Sequence, residues 1–421
     1  MKVSVIIPVW NGREYLPKCL DALLAQDYPD FEVIVVDNAS ADGSADLVAE
    51  KYPQVRLIRN LQNRGFAGGC NTGLQAAQGD VLVLLNQDAI PQPGWLSSIV
   101  EALRNPQVGV VGCKLLYPDG ETIQHAGGWI EWPLGLAHHF GRGEKDNGQW
   151  DEPGEVDYVT GAAMAFWRDV LQKVGLMDEG FWPGYFEDAD FCFRAREAGY
   201  KVCYVPSAVA FHAETTSVRD ETRLSAYYQR GRLRFILKHL PPQRILTEFV
   251  PEEEKYQAPA IRGQESASLP AAYLIAMVLA PSILAERWGA NQELIDAVVS
   301  AFRRLYESAR REEIQKLEEE MGPLSGSFKA VKAGPSLTIP SLQEFQFRSQ
   351  VPVIGPLIAG FRTLWFNVAA RWALRDLIRQ QEAINRQQEA INRHYESRLR
   401  ALEDTILYMT IALGDLLRTG R

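Results

Sequence analysis

The chain has 421 residues, 46% hydrophobic and 23% charged, enough for a sizeable core and, by length, for two or three domains. A net charge of -9 argues against a general nucleic-acid binder. Five cysteines, Cys19, Cys70, Cys113, Cys192 and Cys203, are scattered without a CxxC pair, the pattern of reduced thiols in a cytosolic compartment.

The first apolar run, residues 2–9, is stopped by Pro8 and reads as a buried strand, too short for a signal-peptide core. Residues 13–26 carry helical spacing through Tyr15, Leu16, Cys19, Leu20, Leu23 and Leu24. Strands are expected at 31–37, 55–58 and 81–85, with helices at 45–52 and roughly 68–77. Apolar strands alternating with amphipathic helices indicate a parallel sheet covered on both faces. Ligands of such sheets bind beyond the carboxyl ends of the strands. Asn11, Asp37, Asn63, Asn86 and Asp88, the polar residues after the strands, are therefore the candidates.

Each candidate has two readings. Asp37 could accept the imide N–H of uracil or thymine, or cap a turn with Asn38, Ser40 and Asp42. The run Asn63-Arg64-Gly65-Phe66-Ala67-Gly68-Gly69 places glycines before a helix, where backbone can approach a phosphate; a tight strand–helix connection explains it equally well. Asn86 and Asp88, two apart at a strand end, suit Mg²⁺ or Mn²⁺ bridging a diphosphate, or a simple turn before Pro91.

From a strand near 108–113 to Thr160 the chain reads as irregular, with Trp129, Trp132, His138, His139 and Trp150 offering aromatic faces for sugar stacking or forming a mobile lid. No ligand spacing accompanies His138-His139, which argues against a metal there. After the turn Trp182-Pro183-Gly184-Tyr185 comes Phe186-Glu187-Asp188-Ala189-Asp190-Phe191. Carboxylates beside apolar bulk can be held partly dry, which raises their basicity and suits a general base for a sugar hydroxyl. An acidic helix start is the plainer reading. Arg230 begins Arg230-Gly231-Arg232-Leu233-Arg234, which could grip a diphosphate or form a basic helix surface.

Many of these pieces occur in an order that resembles the family 2 inverting glycosyltransferases of GT-A fold, especially their rhamnosyltransferase-like branch. They are Pro8-Val9-Trp10-Asn11, Val36-Asp37-Asn38-Ala39-Ser40, Asn63-Arg64-Gly65, Asn71-Thr72-Gly73, Leu84-Leu85-Asn86-Gln87-Asp88, Thr160-Gly161-Ala162, Glu187-Asp188-Ala189-Asp190 and Phe211-His212. The resemblance covers roughly residues 1–240. It implies an α/β GT-A domain, Rossmann-like, with a mostly parallel sheet and helices on both faces. It implies transfer of a single sugar from a dTDP- or UDP-sugar, rhamnose being the first expectation, to a glycan or lipid-linked acceptor in polysaccharide biosynthesis. Asp188 would be the base and Glu187 its orienting neighbour. Asp88 and His212 would hold Mg²⁺ or Mn²⁺. Pro8, Asn11, Asp37, Asn63, Gly65, Asn71, Asn86 and Arg230 would border or support the nucleotide-sugar pocket, and Asp190, Trp182 and Gly161 the acceptor. Asn86 departs from the aspartate expected at the first position of the DxD-like motif. The QxxRW signature of processive synthases is absent, which favours single-sugar transfer.

Beyond Pro241-Pro242 the resemblance fades. Residues 243–268 read as a polar linker, and 270–320 as two helices. No run of about 20 uninterrupted apolar residues occurs, so no spanning helix is expected; Leu269 to Leu284 comes nearest and contains Pro281. Domains are expected at 1–240 (catalytic), 241–345 (helical, with linkers), 346–376 (amphipathic) and 377–418 (coiled coil). In the third, Phe361, Leu364, Trp365, Val368 and Trp372 share a stripe with arginines nearby, which suits a membrane interface on the cytoplasmic side or burial against protein. In the fourth, Arg379–Asn385 repeats letter for letter at Arg386–Asn392, which indicates a homo-oligomeric coiled coil, dimer or trimer.

Overall fold

The computed structural model describes residues 1–214, 221–262 and 268–321. Met1–Glu313 belong to one compact unit. The expected amphipathic segment at 346–376 and the coiled coil at 377–418 lie outside the described residues.

The chain begins β1 (Val3–Val9), α1 (Leu16–Leu24), β2 (Phe31–Asp37), α2 (Ser44–Lys51), β3 (Arg56–Arg59), α3 (Gly65–Ala76), β4 (Val81–Leu85), β5 (Ala89–Pro91) and α4 (Trp95–Leu103). Every residue of β1 and β4 is buried, the signature of strands covered on both faces. Then come β6 (Val108–Leu116), β7 (Ile123–His125), β8 (Gly128–Glu131), β9 (Leu136–His139), β10 (Gly154–Glu155), β11 (Ala163–Trp167), α5 (Arg168–Val174), α6 (Glu187–Glu197) and β12 (Lys201–His212). The main sheet runs β10-β12-β6-β11-β4-β1-β2-β3, with β5 on β12 and β7 on β6; β8 and β9 form a separate hairpin. It is a mixed, mostly parallel α/β sheet with helices on both faces, as the expected architecture requires.

Alternate residues of the strands feed two cores. Val5, Ile7 and Val9 pack with Leu20 of α1 and Ile99 of α4, while Ile6 and Ile34 pack with Leu74 of α3 and Phe191 of α6. At β1–α3 the contact is close: a Cβ on Gly73 would lie 2.3 Å from Ile6 Cγ2, and one on Gly69 would lie 3.1 Å from Pro8 Cβ. The helix expected at roughly 68–77 starts earlier, at Gly65, so the glycines of the run are inside it, and Gly69, with Gly73 farther along, serves helix–sheet packing.

Three other local expectations change. The irregular stretch 114–160 contains strands β7 to β10. Residues 243–262, expected as linker, are helical: α7 (Glu221–His239) is followed by α8 (Pro242–Arg244), a π turn (Ile245–Phe249) and α9 (Val250–Arg262). Tertiary burial overrides their polar composition, because fully buried Glu253 of α9 meets fully buried Arg232 of α7, with Arg232 Nη1 2.8 Å from Glu253 Oε2. The apolar run near 269–284 is not broken by Pro281. It is α10 (Ser268–Trp288), 21 residues and by length and composition able to cross a membrane, but 67% of its 18-residue apolar window is buried within the protein. Its Leu269, Ile275, Leu279 and Leu284 share a core with Leu233 and Leu237 of α7 and Val298 and Phe302 of α11 (Gln292–Met321).

Candidate active site

Strand direction brings the candidates to one edge. Val9 pairs with Asp37 and Ile6 with Leu84 in parallel register, so β1, β2 and β4 end together. Strand β11 runs the other way, with Ala163 opposite Leu85, so Thr160 and Gly161 enter the sheet at that same edge. Strand β6 is antiparallel to β11 and β12 parallel to β6, so His212 also ends there, opposite Ala89 of β5.

On the β1–β2 side, Asp37 is buried and both carboxylate oxygens face the Ser40 N–H at 3.4 Å, an Asx-type turn. Asn11, at φ 51°, donates its N–H to Ser40 Oγ at 2.9 Å and accepts from Ala41 N with Oδ1 at 2.9 Å, tying the two loops. Asn63 Oδ1 accepts from Gly65 N at 2.8 Å. Asn38, read from the sequence only as a turn residue, is the buried hub here. It donates to Gly65 O at 2.8 Å and accepts from Asn60 Nδ2 at 2.9 Å. Gly65 has φ +71°, and a Cβ there would sit 2.6 Å from Trp182 Cδ1, so only glycine lets the Trp182–Pro183 turn close on α3. Asn71 is buried and donates to Met177 O at 2.9 Å while accepting from Met177 N at 3.0 Å. It therefore supports the site from behind and does not line it.

At the β4–β12 ends, His212 Nε2 lies 3.2 Å from Asp88 Oδ1 and 3.2 Å from Asn86 Nδ2. Asp88 and His212 are both about 7% exposed. Ring nitrogen, carboxylate and side-chain amide form a donor set of the hard-cation kind. Two adjacent ligands of an octahedral ion, each about 2.1 Å away, would stand roughly 3 Å apart, so the pair fits a divalent cation. Magnesium-like ions keep most ligands as water and phosphate, so two protein ligands suffice. Two glutamines that the sequence reading passed over complete this corner. Gln87 pairs with the Trp10 backbone, accepting from Trp10 N at 3.0 Å, and Gln124 faces His212 Nδ1 at 2.6 Å. Gln87 stands between Asn86 and Asp88, whereas Gln124 lies in no spacing pattern that could have singled it out.

Asp188 opens α6 with one oxygen, Oδ2, accepting from Gly161 N at 2.9 Å. Burial raises its pKa, outweighing the Gly161 and Ala189 N–H groups and the Thr160 hydroxyl, which lower it. Burial also pushes Glu187 well up, with the Asp188 charge adding to it. Glu187 Oε2 is buried with no hydrogen-bond partner among the described residues. The Asp188 corner joins the Asp88–His212 corner through the backbone, since Asn86 N donates to Ala162 O at 2.9 Å. Phe66, of α3, sits beside both Gly161 and Gly184.

One expected contact and one alternative reading are corrected. Asp190 does not face an acceptor. It is fully buried and lies against Arg194 Nε at 2.8 Å, Lys238 Nζ at 2.5 Å and His239 Nε2 at 2.9 Å. Burial pushes its pKa up, and the Lys238 charge, the His239 hydrogen bond and Arg194 overcome that and depress it. Two residues along a helix is about 200° of rotation, which turns Asp190 away from Asp188 and toward α7. Arg230 does not lie on a basic surface. It is buried and donates to the Trp182 carbonyl, which leaves Trp182 a wall between the turn and the helical core, and Arg232 beside it is buried too. His139 faces buried His125, Nδ1 to Nδ1 at 2.7 Å, and burial holds His139 down to about 4. Among the described residues no group of three or more His, Cys, Asp or Glu could hold a metal ion.

Residues 4–175 match the description Glycosyl transferase family 2. The chain is 32% identical over 238 residues to the O-antigen biosynthesis protein RfbC of Myxococcus xanthus, covering 54% of this chain and 18% of that protein. It is 27% identical over 252 residues to the N-acetylglucosaminyl-diphospho-decaprenol L-rhamnosyltransferase of Mycobacterium tuberculosis, covering 54% of this chain and 81% of the relative. The chain spans less than half the length of several curated relatives it matches, 25% of the Sinorhizobium fredii protein y4gI among them. Among solved structures, a mannosyltransferase of Pyrobaculum calidifontis in complex with GDP-mannose and Mn²⁺ aligns with 76% of this chain and 87% of its own, at 21% identity and a TM-score of 0.42.

Proposed function

We propose that this chain, which carries a family 2 glycosyltransferase domain over residues 4–175, moves a single sugar from a nucleoside-diphosphate donor to a glycan or lipid-linked acceptor, with inversion. One observation carries the reading. Asp188, raised by burial, is held by the N–H of Gly161, which enters the sheet at the same edge at which Asp88 and His212 meet. A carboxylate made more basic in a water-poor site suits removal of a hydroxyl proton. In this scheme Asp188 takes the proton of the acceptor alcohol as its oxygen bonds the anomeric carbon from the face opposite the diphosphate. The bond to the diphosphate oxygen breaks, and its electrons leave with the nucleotide. One base serves one displacement, so the product is inverted. Asp88 and His212 would hold Mg²⁺ or Mn²⁺, which supplies neutralising charge for the departing diphosphate. Asp37, buried at the end of β2, would meet the nucleobase. Glu187, whose carboxyl is pushed well up by burial and by the Asp188 charge, leaves its buried Oε2, unpartnered among the described residues, for a sugar hydroxyl in this scheme.

The donor is a dTDP- or UDP-sugar in this reading, and dTDP-rhamnose is the first candidate; the likeness to a rhamnosyltransferase and to an O-antigen biosynthesis protein supports that choice. A panel of dTDP- and UDP-sugars, scored for donor hydrolysis and for product anomeric configuration by NMR, tests it. Turnover with one donor and inverted product is expected; no turnover with any of them would support a non-catalytic scaffold instead. Sequence pattern alone supports homo-oligomerisation through 377–418 and membrane-interface contact on the cytoplasmic side through 346–376. Sedimentation of a chain ending near residue 372 tests the first, and an unchanged assembly mass would overturn it.

A further inference from the structure

We infer that Gln124, on β7, is a positioning residue that holds His212 in the tautomer with its proton on Nδ1 and its Nε2 lone pair turned toward Asp88. The inference builds on the cation reading of that pair, yet the orientation of His212 can be measured without any cation.

The argument is one of donors and acceptors. Gln124 is 4% exposed. Its Nε2 lies 3.3 Å from Glu214 Oε2 and 3.4 Å from the His212 carbonyl oxygen, while its Oε1 lies 2.6 Å from His212 Nδ1. An ionised carboxylate and a carbonyl only accept, so the NH₂ end of the amide must face them. That choice is forced by the neighbours and holds however the amide is first assigned. The oxygen end is then left for the ring, and Nδ1 must bring the hydrogen. Arg142 Nη2 at 2.8 Å and Tyr117 OH at 3.2 Å both donate to Glu214, which fixes it as the acceptor in this row.

The opposite edge of the ring carries both kinds of partner: Asp88 Oδ1, 3.2 Å from Nε2, would accept a hydrogen there in the absence of a shared cation, while Asn86 favours the lone pair. Asn86 Nδ2, 3.2 Å from Nε2, can donate to an unprotonated nitrogen. An aspartate at 86, as the related motif has, would set a second carboxylate against that lone pair. Asn86 and Gln124 thus hold one imidazole from its two edges, and the departure at 86 becomes part of the orientation. Partners of this kind behind a metal-binding histidine typically change metal affinity about 10–100-fold.

The test uses the full chain labelled with ¹⁵N-histidine. Long-range ¹⁵N–¹H correlation reads the tautomer of His212, identified among the six histidines by its loss in His212→Asn. Mn²⁺ affinity is read in parallel by electron paramagnetic resonance with UDP present. The wild type is expected to carry hydrogen on Nδ1. Gln124→Met is expected to lose that preference and to weaken Mn²⁺ binding at least ~10-fold, with the thermal midpoint within about 4 °C. The pair Gln124→Glu with Glu214→Gln keeps an acceptor against His212 Nδ1 while reversing the 124–214 hydrogen bond, and is expected to restore tautomer and affinity, which a merely destabilised fold would not do. Hydrogen on Nε2 in the wild type, or Gln124→Met keeping the tautomer, overturns the inference. A wild type that binds no Mn²⁺ would overturn the cation reading alone, and the tautomer comparison would still decide the role of Gln124.

Discussion

The Gly161 amide stands 2.9 Å from Asp188 Oδ2 and pins the carboxylate where α6 begins. Replacing Asp188 with Asn is expected to cut turnover by about 10²–10⁴-fold, the usual worth of a general base, with nucleotide binding retained. It is also expected to raise the thermal midpoint near neutral pH. The sign follows from linkage. Burial raises the folded pKa of Asp188 above its ordinary 3.8, so the folded chain binds this proton more tightly than the unfolded chain does. Stability from the group is present at low pH and falls as pH rises through the raised value. Removing the charge removes that cost. Calorimetry and single-turnover kinetics on the same variant check both halves, and unchanged turnover would eliminate Asp188 as the base.

The acid limb of kcat/KM is expected above the ordinary aspartate value near 3.8, because Asp188 must be ionised to act and burial makes it hold its proton to higher pH. A pH–rate profile at constant ionic strength reads it. A limb at or below the ordinary value would mean that the rate reports another group.

Gly161→Ala is expected to lower kcat by up to about 10²-fold while KM changes little. A Cβ there would lie 2.9 Å from Phe66 Cε1 and 3.5 Å from Asp188 Cβ, so the base or its neighbour must shift. Gly154→Ala is the control, since nothing lies within 4 Å of its added Cβ, and it is expected to leave both parameters unchanged. Steady-state kinetics on the two variants decides.

Arg232→Met alone, or Glu253→Gln alone, is expected to cost about 3–5 kcal/mol by stranding one member of a fully buried pair. The double change Arg232→Met with Glu253→Gln is expected to cost less than the sum of the single changes. Denaturant unfolding of the four proteins measures the coupling, and simple additivity would show that the pair does not act as a unit.

Acid should loosen α7 from the segment around Asp178, which lies between α5 and α6. Burial pushes the Asp178 carboxyl up, but the Arg234 and Lys238 charges overcome that and hold it down to about 2. Its folded value is thus depressed, so its contribution is present above the unfolded value near 3.8 and lost as pH falls toward 2. Hydrogen exchange of the α7 amides across that window is expected to accelerate in the wild type. In Asp178→Asn the exchange should be faster already at pH 5 and should change less on acidification.

Local pattern alone determined a good deal about this protein. Continuous apolar runs at 3–9, 31–37 and 81–85 declare strands covered on both faces, and the helical spacing between them declares the covering layers, because burial on a regular element writes its own period. The polar residues after those strands, Asp37, Asn86 and Asp88, were legible as an edge because parallel strands end together. What tertiary structure alone decided is the partner of each buried charge. Asp190 stands two residues from Asp188 in the chain but turns to Lys238 and His239 on another helix. Polar 243–262 folds as helix because Glu253 finds Arg232. Gln124, 88 positions from His212, meets the ring edge that no spacing rule could have linked to it. Periodicity and turn chemistry act over a few residues and so appear in the letters. A desolvated polar group needs a specific partner, and where that partner lies in the chain is settled only when the sheet and helices pack.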